Sequence, residues 1–170
     1  SINWLELEEI MNGQLLTTIK AIKYFSIKGK ILIHNCDTSY KISQDLEEIP
    51  KDNFGAIPYF ISEGENWSFL KTHQGGELIS EVKEKKRISS KCSVGTYFFR
   101  SSEELLELTN NYLLSINKNS IPEFYISPIY DYAIKQGKNI LAIKASHVKT
   151  FGTIEEICSS FDLGFTKIPP

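Results

Sequence analysis

Residues 30–38 read Lys30-Ile31-Leu32-Ile33-His34-Asn35-Cys36-Asp37-Thr38, and this stretch decides the fold class of the chain. Its first half is short and apolar at consecutive positions, which is typical of an interior β-strand covered on both faces. Asp37 follows that strand in a predicted loop. Ligands of open α/β sheets bind in the crevice outside the carboxyl ends of the strands, so the position of Asp37 indicates a ligand site.

The segments on either side of this strand alternate between helical and strand patterns. Helices are predicted at 13–27, after a cap at Ser101 or Ser102, near Ser127 and after Thr153, where Thr153 and Glu156 form a capping-box pattern. Further strands are predicted at 54–62, 67–71, 77–82, 92–99 and 139–145, with a turn at 73–76. This order indicates an α/β sheet domain with helices on its faces and one β-rich insertion.

The bulk properties of the chain bound the class of protein. A length of 170 residues allows a single domain, predicted here as 1–170, and a net charge of -2 argues against nucleic acid as the main partner. No stretch approaches the roughly 18–20 apolar residues of a membrane helix, so membrane insertion is not expected. The three cysteines, Cys36, Cys92 and Cys158, are far apart and favour buried thiols in a reducing compartment, the cytoplasm.

Three features could carry chemistry, and each also has a purely structural interpretation. Asp37 could hold a magnesium ion, which prefers oxygen ligands, or could simply form the turn. The charged run 83–87 could bind an anionic substrate or form a solvated loop. Gly95 lies in an aromatic, β-branched strand and indicates a close approach of the backbone to a ligand or to another element. The cysteines and histidines lack the spacing of a zinc site.

Several short motifs, in order, resemble the sugar-phosphate nucleotidyltransferase family, of the pyrophosphorylase type linked in bacteria to capsule and lipopolysaccharide synthesis. The motifs span most of the chain: 13–17, 31–38, 67–69, 84–85, 92–99, 123–130 and 152–156. The resemblance implies a Rossmann-like mixed β-sheet with flanking helices. It also implies an enzyme that joins a nucleoside triphosphate to a sugar 1-phosphate, with Mg²⁺ as cofactor and pyrophosphate as product.

The resemblance also implies site residues. Asp37 matches the aspartate that binds the catalytic metal, Glu84 the glutamate that holds sugar hydroxyls, and Lys85 the lysine that meets the sugar phosphate. The remaining substrate-binding matches lie near the nucleotide or against the sugar, and they are Gly13, Gln14, Ser68 and Gly95.

The chain departs from the family pattern at two points. It has no strand and glycine-rich loop before Ser1, so we expect it to be the carboxyl-terminal portion of a larger catalytic domain that needs the missing segment or a partner chain. A second metal-binding acid expected shortly before Gly152 is also absent, with Thr150 in that stretch. The alternatives are therefore a non-catalytic module that binds a sugar phosphate or assembles with another subunit, and a purely structural domain. An exposed sheet edge would favour self-association.

Overall fold

The computed structural model describes residues 2–161 and Leu163 and shows an eight-stranded mixed sheet with flanking helices. The predicted domain also includes Ser1, Asp162 and residues 164–170, which lie outside the described residues. In chain order the elements are α1 (Gln14–Tyr24), β1 (Ile31–His34), β2 (Thr38–Ile42), a 3₁₀ turn (Leu46–Glu48), β3 (Asn53–Ile61), β4 (Ser68–Thr72), β5 (Ile79–Glu84), β6 (Lys91–Ser93), β7 (Thr96–Phe99), α2 (Ser102–Ser115), a 3₁₀ turn (Lys118–Ser120), α3 (Ser127–Lys135), β8 (Asn139–Thr150) and α4 (Ile154–Ser160).

The sheet is organised around β3. Strands β6 and β7 pair with β3 in antiparallel fashion, and β8 pairs with it in parallel. One path through the sheet runs β1-β7-β3-β6-β4-β5, while β2 pairs with β8. The predicted mixed sheet with flanking helices is therefore confirmed, although antiparallel pairs predominate.

Strand β1 differs from the prediction of an interior strand covered on both faces. Among the described strands it pairs only with β7, and its residues alternate between half-buried and exposed. Ile31 and Ile33 pack against the main core, whereas Leu32 points to the opposite side and is 50% exposed. The prediction is wrong because three consecutive apolar residues do not require two covered faces at the edge of a sheet.

The predicted strand at 92–99 is two strands, β6 and β7, separated at Gly95. Gly95 has φ +75°, a conformation that breaks the extended backbone, and its N–H bonds to the Ser93 hydroxyl at 3.1 Å. The interruption allows β6 to pair with one end of β3 and β7 with the other. Glycine tolerates this geometry because it has no Cβ.

The helices follow the predicted local signals. The Ser101 side chain caps α2 by accepting from the Glu104 N–H at 3.0 Å, and Thr153 and Glu156 form the predicted capping box of α4. Strand β8 continues to Thr150, beyond the predicted end at 145, because its second half pairs with β2. No helix in the described part of the chain is long and apolar enough to cross a membrane.

Helix α3 is anchored in the core by Tyr130. This side chain is fully buried, its hydroxyl donates to the Phe98 carbonyl at 2.6 Å, and its ring stacks on Phe99 with centroids 4.5 Å apart. Buried tyrosines of this kind combine a large apolar contact with a satisfied polar group. The anchor fixes the start of α3, where Ser127 lies, against the end of β5.

Candidate functional site

A cleft of about 550 Å³ lies where β1 and β5 end and β4 begins. Six of the seven predicted site residues line it: Gln14, Asp37, Ser68, Glu84, Lys85 and Gly95. They come from segments as far apart in the sequence as Gln14 and Gly95, and the fold brings them together around one cleft. The binding roles of these residues stay predictions.

Gly13 is the predicted site residue that does not line this cleft. It precedes α1 with φ +100°, and a Cβ at this position would lie 2.5 Å from the Phe124 carbonyl oxygen. The backbones exchange hydrogen bonds here, from Leu15 N–H to the Phe124 carbonyl at 2.9 Å and from Phe124 N–H to the Asn12 carbonyl at 3.2 Å. Gly13 therefore packs the start of α1 against residue 124.

The carboxylate of Glu84 has a fixed orientation in the cleft. The register of β4 and β5 places Ser68 directly opposite Glu84, and the Ser68 hydroxyl donates to Glu84 Oε2. Ser127, at the start of α3, donates to the same oxygen at 2.6 Å. Neither bond uses Oε1, so that oxygen can accept from the hydroxyls of a polar ligand.

Tyr97 is a buried hydrogen-bond partner of Ser68. Its hydroxyl lies 3.2 Å from the Ser68 hydroxyl, and the side chain is almost fully buried. Burial raises the pKa of Tyr97 to about 12, partly offset by the hydrogen bond with Ser68. The phenol therefore stays neutral over the physiological range and keeps its proton for hydrogen bonding.

Lys85 follows Glu84 and supplies a cation to the same cleft. Its backbone has φ +51°, in the left-handed region that few non-glycine residues adopt, and its N–H donates to the Trp67 carbonyl at 2.9 Å. The ammonium donates to the hydroxyl of Tyr125 and lies 4.5 Å from the centre of that ring. The hydrogen bond to Tyr125 raises the pKa of Lys85, so the side chain is charged.

Asp37 also lines the cleft, near the loop that follows β8. Its backbone carbonyl accepts from the Phe151 N–H at 2.8 Å, and its Oδ1 accepts from the Thr38 hydroxyl at 3.3 Å. A Cβ built on Gly152 would lie 3.4 Å from Asp37 Oδ2 and 3.1 Å from Glu156 Oε2. Both carboxylates therefore lie close to Gly152, and Glu156 Oε2 accepts there from the Gly152 and Thr153 N–H groups at 2.8 and 3.2 Å.

Gly95 and Gln14 meet at Asn35. A Cβ on Gly95 would lie only 2.6 Å from Asn35 Nδ2, so glycine is needed for the Asn35 side chain to lie over the backbone. The Asn35 N–H donates to the Gly95 carbonyl at 3.0 Å, and its Oδ1 accepts from Gln14 Nε2. The close approach predicted at Gly95 is therefore a contact with another element at the wall of the cleft.

The sequence reasoning missed several polar residues that build the site: Asn35, Tyr97, Tyr125, Ser127 and Glu156. All five lie inside motifs that were recognised, but only Glu156 carries a local signal of a contact partner, its capping-box partner Thr153. The interpretation of the cysteines as buried is wrong for Cys36, which is exposed beside Asp37, whereas Cys92 is buried and Cys158 is half-buried. The prediction failed for Cys36 because the apolar residues before it end at Ile33, so Cys36 lies in the polar loop that follows β1.

No group of three or more histidine, cysteine, aspartate or glutamate side chains suited to a metal ion occurs within residues 2–161 and Leu163. A site made by protein ligands alone is therefore not formed there. Magnesium sites commonly use one or two carboxylates and take further oxygens from substrate phosphates and water. The pair Asp37 and Glu156 fits that smaller donor set.

Comparison with known proteins identifies the fold. No family model and no curated protein matches the chain. A nucleoside-diphosphate-sugar pyrophosphorylase from Vibrio cholerae RC9 matches with a TM-score of 0.78 and 27% identity, covering 92% of this chain and 67% of that one. An apo UDP-glucose pyrophosphorylase matches with a TM-score of 0.70 and 14% identity over 91% of this chain and 60% of the other. The inositol-1-phosphate CTP transferase of T. maritima matches with a TM-score of 0.63 and 10% identity over 85% of this chain and 58% of the other.

The fold of this chain is that of the matched structures, which are named as a nucleoside-diphosphate-sugar pyrophosphorylase, a UDP-glucose pyrophosphorylase and an inositol-1-phosphate CTP transferase. The resemblance to the sugar-phosphate nucleotidyltransferases is thereby confirmed. The chain spans only 58–67% of the length of these matched structures.

Proposed function

We propose that the cleft binds a sugar 1-phosphate and that the protein carrying it joins this substrate to a nucleoside triphosphate, with release of pyrophosphate. We further propose that residues 1–170 form one domain, a portion of the catalytic domain. The observation that carries the proposal is the pair Glu84 and Lys85. One is a carboxylate whose Oε2 is held by two serine hydroxyls, and the other is a cation in the adjacent position.

The two side chains suit the two ends of a sugar 1-phosphate. Glu84 Oε1 can accept from sugar hydroxyls, while the Lys85 ammonium can donate to the phosphate. Ser68 orients Glu84, and the wall formed by Gln14, Asn35 and Gly95 closes the cleft beside them. A neutral ligand would gain little from the cation, and an inorganic anion would gain little from the carboxylate.

In the proposed reaction an oxygen of the sugar phosphate attacks the α-phosphorus of the triphosphate in line. A bond forms between that oxygen and the α-phosphorus, and the bond to the bridging oxygen of the β-phosphate breaks, so pyrophosphate leaves. The protein residues hold the reacting groups together and neutralise charge, which is the main contribution of proteins to phosphoryl transfer. No covalent intermediate with the protein is involved.

Asp37 and Glu156 would hold the magnesium ion implied by the fold family. Asp37 Oδ2 and Glu156 Oε2 both lie near Gly152, and a carboxylate pair is a chemically suitable donor set. When bound, Mg²⁺ supplies positive charge to the phosphates of the substrates. Thr150, which lines the cleft near these residues, adds no charge to the set.

The proposed place of the reaction is the supply of nucleotide sugars for capsule or lipopolysaccharide in the bacterial cytoplasm. The bacterial members that the motifs resemble support this role. The three cysteines are free, which agrees with a reducing compartment.

A pyrophosphate-release assay tests the reaction. The protein that carries the cleft, in its full-length gene-encoded form, is incubated with Mg²⁺ and panels of nucleoside triphosphates and sugar 1-phosphates, and we expect release that requires one member of each panel. Asp37→Asn should abolish most of the release, whereas Glu107→Gln, an exposed carboxylate on α2, is the matched control and should leave it unchanged. Equal release by the wild type and Asp37→Asn would refute the metal role of Asp37.

The second candidate function is a module that assembles with another subunit, and the free edge of β1 favours it. Among the described strands β1 has one neighbour, and the groove beside Leu32 also contains the apolar side chains of Ile42 and Leu46. Unpaired strand edges promote pairing between chains. We propose a second copy of the chain as the occupant. A concentration-dependent dimer that Leu32→Lys disrupts would support this candidate, and a monomer at all concentrations would exclude it.

A further inference from the structure

The ammonium of Lys85 is the first member of a chain of three polar groups. Lys85 Nζ donates to the Tyr125 hydroxyl, and that hydroxyl donates to Glu123 Oε2. One phenol group therefore serves as acceptor for the lysine and donor to the carboxylate. Lysine has three N–H donors, so this arrangement leaves two of them for a ligand.

The backbone on both sides of Tyr125 is fixed by contacts outside the cleft. Phe124 and Ile126 are buried in the main core, with 8% and 0% exposure. The N–H and carbonyl of Phe124 both bond to the segment that begins α1, and Ile126 leads directly into α3. Tyr125 itself is half-buried and lines the cleft. Its hydroxyl therefore projects from a rigid support.

Lys85 needs such a partner because little else restrains it. Its side chain is long, exposed and rich in rotamers, and fixing a lysine side chain costs up to about 2 kcal/mol of conformational entropy. A hydroxyl held by Glu123 orders the ammonium before a ligand arrives. An ammonium that is ordered before binding improves affinity, because the entropy of the side chain is not lost in the binding step.

We propose that Tyr125 is a positioning residue which, supported by Glu123, holds the Lys85 ammonium at the place where the phosphate of the sugar 1-phosphate binds. This inference rests on the proposed function, and it adds two residues that the sequence motifs left without a role. The hydroxyl also separates the Glu123 carboxylate from the ammonium, because Glu123 bonds to the phenol and not to the lysine. Glu123 therefore does not form a direct ion pair with Lys85, and the ammonium can interact with a phosphate.

The test compares the binding of hexose 1-phosphates and of the matching free hexoses by calorimetry. Tyr125→Phe keeps the ring and removes only the hydroxyl. We expect it to weaken hexose 1-phosphate binding by roughly 3- to 10-fold, the range for one hydrogen bond, without changing the affinity for the free hexose. Tyr24→Phe, which removes a hydroxyl from an exposed tyrosine on α1, is the matched control and should change neither affinity.

A second comparison separates positioning from a general effect on the fold. In a Lys85→Met background, Tyr125→Phe should have no additional effect, because the two residues act on the phosphate through one interaction. Glu123→Gln should weaken hexose 1-phosphate binding less than Tyr125→Phe does. Independent effects of Tyr125→Phe and Lys85→Met, or an equal loss of affinity for free and phosphorylated sugar, would overturn the inference.

The pKa of Lys85, followed by NMR of its side chain, gives a readout that needs no ligand. The Tyr125 hydrogen bond raises that pKa, so it should fall in Tyr125→Phe. An unchanged pKa would overturn the inference even if binding changed. A wild-type chain that binds none of the hexose 1-phosphates would overturn the proposed function and this inference together. Normal wild-type binding that Tyr125→Phe leaves intact would overturn the inference alone.

Discussion

Replacing Gly95 by alanine should deform the wall of the cleft and destabilise the protein by more than the backbone conformation alone requires. Gly95 has φ +75°, and the left-handed conformation costs a non-glycine residue about 1–2 kcal/mol. The new Cβ would also lie 2.6 Å from Asn35 Nδ2 and 2.9 Å from Asn35 Cγ, so the Asn35 side chain has to move. This movement breaks the bond between Gln14 and Asn35, at a further cost of about 0.5–1.5 kcal/mol.

Gly29→Ala is the matched control for this prediction. Gly29 has φ +80°, close to that of Gly95, but a Cβ there would meet no atom within 4 Å. Both substitutions reduce the entropy of the unfolded chain equally, so that effect cancels in the comparison. The difference between the two free energies of unfolding therefore measures the displacement of Asn35.

The assay is urea denaturation of the wild type and the two variants, followed by fluorescence of the tryptophans. We expect Gly95→Ala to cost about 1 kcal/mol more than Gly29→Ala, equivalent to a melting temperature lower by about 2–4 °C. Asn35→Ala should remove most of this difference, since only the Asn35 Cβ contact at 3.1 Å would remain. Equal destabilisation by the two glycine substitutions would show that Asn35 does not obstruct a side chain at position 95.

Three further predictions concern the metal, the stability and the thiols. Glu156→Gln preserves the capping box but removes a charge, so it should weaken Mn²⁺ binding measured by electron paramagnetic resonance. Glu155→Gln is the control and should leave Mn²⁺ binding unchanged. Equal Mn²⁺ binding by the two variants would contradict the role of Glu156. Burial tends to raise the pKa of Asp131, but hydrogen bonds from Lys135 and Lys83 outweigh burial and lower that pKa. The stability that Asp131 contributes is therefore present above pH about 4 and is lost as the pH falls through the lowered pKa. Asp131→Asn should therefore cost about 1–3 kcal/mol in denaturation at pH 7 and progressively less in acid, and a cost independent of pH would be inconsistent with these ion pairs. Cys36 is exposed and Cys92 buried, so a thiol reagent should label Cys36 within seconds and Cys92 only after unfolding; rapid native labelling of Cys92 would contradict the structure.

Local signals in the sequence predicted most of the helices and strands. The cap at Ser101 and the capping box of Thr153 and Glu156 are short-range patterns, and both are present. Strand β2 was missed because its sequence, Thr38–Ile42, is mostly polar and its pairing depends on β8, more than a hundred residues later. The edge position of β1 likewise depends on which strands are its neighbours, and no pattern within the strand reports that.

The site was predictable as a set of residues but not as a network. Glu84 and Lys85 were found because they are adjacent in a recognised motif. Their partners Ser127 and Tyr125 were not found, because those contacts span about forty residues and follow from the packing of α3 against β5. Glu156 was recognised only as a capping residue, since its proximity to Asp37 arises from the pairing of β2 with β8.

The proposal that the cleft binds a sugar 1-phosphate is tested most directly by mapping the binding of a hexose 1-phosphate on the protein by NMR. Amide resonances of isotopically labelled protein are followed during titration with a panel of hexose 1-phosphates and, in parallel, with inorganic phosphate. We expect saturable shifts concentrated at Ser68, Glu84 and Lys85. Lys85→Met should weaken the binding by roughly 10- to 100-fold, the range for a hydrogen bond to a charged group. Shifts located elsewhere on the surface, or no shifts with any sugar phosphate, would contradict the proposal.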